Sequence, residues 1–103
     1  MSQIEKARRE GMRWHLLNVL NKARPYTTTE MFLQDVMRGI YPDTTSLELR
    51  QQLDYLHDRK LVDLNKTPSG TWFADLTRLG VDIAEYTIDC QAGIARPVKY
   101  WSD

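Results

Sequence analysis

Residues 45–80 read TSLELRQQLDYLHDRKLVDLNKTPSGTWFADLTRLG, and the order of signals in that stretch decides the fold. Thr45-Ser46-Leu47-Glu48 is a capping box, in which the Thr45 hydroxyl takes an amide hydrogen of the first turn and Glu48 reaches back to the cap. Leu49, Leu53 and Leu56 follow at spacings of four and three, one buried stripe of a helix. Lys60 closes that helix, with positive charge near its negative end. Leu61-Val62-Asp63-Leu64-Asn65 then alternates as a half-buried strand. Lys66-Thr67-Pro68-Ser69-Gly70 supplies turn residues, Thr71 to Leu76 returns as a second strand, and Thr77 caps a further helix that should bury Leu79 and Ile83.

Two helical patterns precede this stretch. The first covers roughly Gln3 to Ala23, with Leu16, Leu17, Leu20 and Ala23 inward and Arg9, Arg13, Asn18 and Asn21 left for solvent. Pro25 ends it, because the residue before a proline is pushed out of the α region. The second opens on Thr27-Thr28-Thr29-Glu30, again a capping box, with Tyr26 and Met31 at the staple positions. Leu33, Val36, Met37 and Ile40 form its apolar stripe, and Gly39 marks its end. Three helices, a two-stranded hairpin and a fourth helix, in that order, give a mainly α chain with a small β-hairpin: a winged helix-turn-helix. Residues 1–88 form the domain and 89–103 a C-terminal arm, whose Tyr100 and Trp101 should pack on this or a neighbouring subunit.

At 103 residues the chain suits one domain, and its 42% hydrophobic and 27% charged content is that of a globular protein. The single cysteine, Cys90, excludes an internal disulfide and reads as a small hydrophobe. The N-terminus lacks an apolar signal segment, and no run approaches a membrane span, so a cytoplasmic protein without membrane contact is expected. His15 and His57 sit on different helices without further ligands at metal spacing. No phosphate-loop, dinucleotide or nucleophile-elbow string occurs, so a non-enzyme without metal or cofactor is expected.

Lys+Arg and Asp+Glu are equal at 14 each. Residues 1–25 nonetheless hold six cations against two acids, while residues 26–60 hold four against six. The positive charge thus sits on the first helix, and the third is acidic. If the third helix enters a DNA groove, Arg50 and Gln51 are its base readers. Thr45 and Ser46 at its start, Lys66 on the wing, and Arg9 and Arg13 on the first helix would hold phosphates. Asp54 and Asp58, on the same face, oppose a polyanion. Trp72 and Phe73, adjacent on one strand, point to opposite faces, so one must be core.

The strings LRQQLDYLHDRKLV (49–62), TWFADLTRLGVDIAE (71–85) and GIARP (93–97) resemble a family of small winged-helix proteins of Mu-like bacteriophages and prophages. The resemblance spans about residues 7 to 98. It rests on Arg50, Leu53, Leu56, Leu61 and Val62, on Leu76-Thr77 with Gly80 and Ala84, and on Arg96-Pro97. It implies the fold and a phage origin, hence the bacterial host cytoplasm, and it transfers no activity or catalytic residue. The expected partners are double-stranded DNA for a regulatory protein, a phage or host protein for an interaction module, and a second copy of the chain in a homodimer.

Overall fold

Ser2 starts the first helix, α1 (Gln3–Ala23), with a reciprocal cap: the Glu5 amide donates to the Ser2 hydroxyl at 3.1 Å and the Ser2 amide to the Glu5 carboxylate at 3.3 Å. This computed structural model describes residues 2–99, so Tyr100 and Trp101 lie outside the described residues. Beyond α1 come β1 (Thr28–Thr29), α2 (Glu30–Ile40), α3 (Ser46–Asp58), β2 (Val62–Lys66), β3 (Trp72–Leu76) and α4 (Arg78–Ala84). The described chain is therefore mixed α/β: four helices and a three-stranded antiparallel sheet in the order β1-β3-β2.

The third strand corrects the expected capping box at Thr27. Thr28 pairs with Ala74 and Thr29 with Phe73, so these threonines extend the sheet before the chain turns into α2. Thr29, two residues later than expected, is the cap and accepts the Phe32 amide at 3.2 Å. Glu30 does not reach back to the cap. Tyr26 and Met31 are 79% and 70% exposed and form no staple. α2 also runs past Gly39 to Ile40, where the Tyr41 amide closes onto the Met37 carbonyl.

The hairpin forms within one residue of its expected limits: Leu61 and Thr71 fall outside the strands and Lys66 belongs to β2 rather than to the turn. Val62 faces Leu76, Leu64 faces Ala74 and Lys66 faces Trp72, which puts these six on one face of the sheet. Val62 and Ala74 from that face join the core. Leu49, Leu53 and Leu56 of α3 are fully buried with Met12, Leu16 and Leu17 of α1 and Leu33 and Met37 of α2. Each such leucine contributes roughly 2 kcal/mol by leaving water.

α3 ends in a doubly bonded turn, with Leu61 N–H to Leu56 C=O and Lys60 N–H to His57 C=O. Lys60 takes the left-handed conformation that this turn demands (φ 65°). The Leu61 carbonyl receives the Thr77 amide, and α4 starts so close to it that a Cβ on Gly80 would strike that oxygen. A glycine is required there. Leu79 is 40% exposed rather than inward, because Gly80, Ile83 and Ala84 form the packed side of α4.

The arm folds back onto its own chain. The Ala95 amide donates to the Glu10 carbonyl, Ile94 is buried, Arg96 donates to the Ile83 and Ile88 carbonyls, and the Tyr86 hydroxyl donates to the Pro97 carbonyl.

Candidate functional site

α3 turns Leu49, Leu53 and Leu56 to the core and a stripe of Leu47, Gln51 and Asp58 to the outside, and these last three are exposed. Two flanks border that stripe. One leads to β2 and β3, the other to α1 and the arm.

On the hairpin flank Arg50 is fully engaged. Its Nε donates to Glu30 Oε2 at 2.7 Å, and its Nη2 donates to Glu30 Oε1 and to the Gly70 carbonyl. Its guanidinium carbon lies 4.6 Å from the centre of the Trp72 ring. Glu30, only 8% exposed, also accepts the Trp72 amide at 3.0 Å. That amide points away from β2, where the two-residue β1 has already ended, so the carboxylate completes the sheet edge as a further strand would. The bond from Arg50 holds the Glu30 carboxyl below its ordinary pKa against the opposing effect of burial, and the Trp72 amide adds to the lowering. Lys66 bonds Asp54 at 2.9 Å and lies 4.3 Å from the Trp72 ring centre. The half-buried Trp72 is thus the core-side ring of the pair, under two cations. Phe73, on the opposite face, is half-buried too.

The α1 flank has a different chemistry. Arg8, one helical turn before Met12, is neutralised: it grips Glu48 through two nitrogens at 2.7 and 2.9 Å and meets Asp43 at 2.9 Å. Glu48 therefore does not close the box of α3, although Thr45 accepts the Glu48 amide at 3.1 Å as expected. Arg13 is not a solvent residue. Its Nε donates to the Gln52 side-chain oxygen and its Nη1 to the Gly93 carbonyl, both at 2.8 Å, and its guanidinium carbon lies 3.5 Å from the Tyr55 ring centre. A helical wheel sees only α1 and misses the arm that covers this side. Burial lowers the Arg13 pKa against the opposing pull of Tyr55 and Glu10, and the nearby positive charges of Arg9 and Arg59 push the same way as burial. Arg59 donates to the Gln91 side-chain oxygen at 3.1 Å and stands 4.6 Å from the Tyr55 ring centre.

The seven residues selected from sequence thus fall into separate places. Gln51 is exposed and shares a groove with Arg9 and Gln52. Ser46 is exposed and donates to the Gln34 side chain at 3.1 Å. Thr45 serves as the cap, Arg50 and Lys66 brace the hairpin, and Arg13 joins α1 to α3 and the arm. Tyr55, Arg59, Gln91 and Gly93 lie outside the set that the sequence points to. Tyr55 of α3 stands one turn before Arg59, the residue that ends the helix, a spacing that marks neighbours; nothing local to Gln91 or Gly93 marks their role.

His57 is exposed, while His15 is half-buried edge-on to Tyr41, and burial lowers its pKa. Burial raises the Cys90 thiol. Among the described residues no group of three or more His, Cys, Asp or Glu is placed to hold a metal ion, and no helix is long and apolar enough to cross a membrane. Comparison of the chain with protein-family models, with curated proteins and with solved structures found no match.

Proposed function

We propose that this chain is a winged helix-turn-helix domain of the Mu-like phage and prophage kind, a non-enzymatic protein of the bacterial cytoplasm that binds double-stranded DNA in a regulatory role. α3 would be the reading helix and the β2–β3 hairpin the wing. The observation that carries this reading is the exposure of Gln51 at the centre of the outward stripe; the groove beside it is lined by Arg8 and Arg9 and also by Glu5, Asp43 and Glu48. A glutamine there can pair with the N6 and N7 edge of adenine. Arg50 is not its companion: held by Glu30, Gly70 and Trp72, it orients the wing and leaves base reading to Gln51. Lys66 keeps a phosphate role, because an ion pair half open to water is worth little and exchanges cheaply.

With Arg9, Arg13 and Lys66 as phosphate contacts, the logarithm of affinity should fall against the logarithm of salt with a slope near −2.7. A fourfold rise in salt should then weaken binding roughly 40-fold. Fluorescence anisotropy with a random-sequence duplex, read at two salt concentrations, tests this. A protein that shows no binding at low salt and micromolar concentration rejects the DNA reading.

A second reading has its own observation. Leu47, at the head of the outward stripe, is 67% exposed, and Asp58 stands at its foot. An apolar and acidic stripe suits a protein surface better than a polyanion. The chain would then be an interaction module whose partner is a phage or host protein or a second copy.

A further inference from the structure

Arginines in folded proteins usually meet carboxylates, and in this chain Arg8 and Arg50 do so. Among the described residues Arg9, Arg13 and Arg59, on the other side of α3, make no ion pair, although Glu5 stands near Arg9 and Glu10 near Arg13. Arg9 and Arg13 are one turn apart on α1, and Arg59 joins Arg13 over the Tyr55 ring. The acceptors that Arg13 and Arg59 meet are neutral: the amide oxygens of Gln52 and Gln91 and the carbonyl of Gly93. These bonds aim the side chains without cancelling their charge. Arg13 uses two of its roughly five donor hydrogens in them and Arg59 uses one, so both keep donors for a ligand. Stacking on Tyr55 further limits the guanidinium motion that a ligand would have to freeze.

We infer that Arg13 and Arg59, stacked on Tyr55 and aimed by the arm, form with Arg9 one turn away on α1 a contact surface for the phosphodiester backbone of nucleic acid. The inference rests on the DNA reading above, which already gives Arg9 and Arg13 phosphate roles, and adds Arg59 and the arm that aims Arg13 and Arg59, on the side of α3 away from the wing. The ligand is a phosphate chain rather than a single ion, because the three guanidiniums are distributed from α1 to the end of α3. Tyr55 anchors two of them. Gln91 and Gly93 are positioning groups: they touch the arginines and leave the ligand to them.

The test uses the full chain and a fluorescent random-sequence duplex, with Arg9→Ala and Arg59→Ala made separately. Both side chains reach solvent, and thermal melting checks that each variant keeps its fold. Each should weaken binding several-fold regardless of duplex sequence and make the salt slope shallower by about 0.9, the signature of one lost phosphate contact. Arg59→Lys should recover part of both losses. If the wild type binds with a steep slope and neither alanine variant changes affinity or slope, the surface is rejected and the DNA reading stands without its Arg9 contact. If the wild type does not bind duplex at low salt, both fall.

Discussion

On the hairpin flank of α3, Arg50 and Lys66 meet the carboxylates of Glu30 and Asp54; on the arm flank, Arg13 and Arg59 meet two glutamine amides and a backbone carbonyl. Each flank also has an aromatic ring beneath its cations, Trp72 on one and Tyr55 on the other. The geometry is alike and the electrostatics differ. A carboxylate partner cancels the long-range field of an arginine, so the charge contributes to the fold. An amide partner fixes the arginine's direction and leaves its field intact for a ligand. A count of Lys and Arg along the chain cannot separate these two uses.

The largest test of the comparison removes the carboxylate that holds the hairpin flank. Glu30→Ala leaves the Trp72 amide and the Arg50 guanidinium without their shared acceptor. A loss of about 2–3 kcal/mol in urea unfolding is expected, since hydrogen bonds to charged groups lie at the strong end of the range. Water can still reach Arg50, which keeps the loss below that of a fully buried pair. The same residue sets a pH dependence. Its folded pKa lies below the ordinary 4.5, so its contribution is complete above that value and is lost as pH falls through the lower folded one. Urea midpoints between pH 5 and about 2.5 should therefore fall less steeply for Glu30→Gln than for the wild type. Equal slopes would show that Glu30 is not the titrating brace.

How far this contrast was legible in the sequence depends on the reach of each interaction. The leucine stripe of α3, the hairpin limits, the Thr45 and Thr77 caps and the stop at Pro25 are set within a few residues, and the patterns identify them. Thr28 and Thr29 were misread because their strand exists only through β3, some 45 residues further on. Glu30 sits at a capping-box position, yet it faces Arg50 and Trp72, partners 20 and 42 residues away. Arg13 fell on the solvent side of a helical wheel because the cover comes from Gly93, 80 residues later. Candidate DNA residues could be chosen by type and helix face. Which cations keep their charge free depends on tertiary partners, and no local spacing encodes those.

A smaller effect is expected from the arm flank. Gly93 has φ +95°, and a Cβ there would strike the Tyr55 hydroxyl. Gly93→Ala should cost about 1–2 kcal/mol from the left-handed backbone, plus whatever the ring must move. Because the Gly93 carbonyl aims Arg13, the variant should also bind duplex less tightly, while Glu30→Gln, which takes the negative charge from beside Arg50, should not weaken binding near neutral pH. Thermal melting and anisotropy together read both quantities. A Gly93→Ala variant that melts lower but binds as before would make the arm a structural cover alone.

The smallest change in stability is expected where the flanks are most nearly interchangeable. Asp54 and Lys66 are 46% and 50% exposed at the side chain, so their pair is worth little, and Asp54→Asn should change stability by no more than about 0.5 kcal/mol. Its effect on charge is larger than its effect on folding. Asparagine keeps an oxygen for Lys66 and removes the negative charge, which turns the hairpin flank into a copy of the arm flank: a cation over an aromatic ring, held by an amide. If a neutral acceptor is what leaves a cation available, duplex affinity should rise several-fold, because Lys66 no longer has to leave a carboxylate to reach phosphate, while the salt slope keeps its three-contact value. An unchanged affinity would mean that Lys66 stays with Trp72 whatever Asp54 carries. Partner chemistry alone would then not explain the difference between the flanks, and the position of each cation relative to the outward stripe of α3 would have to decide it.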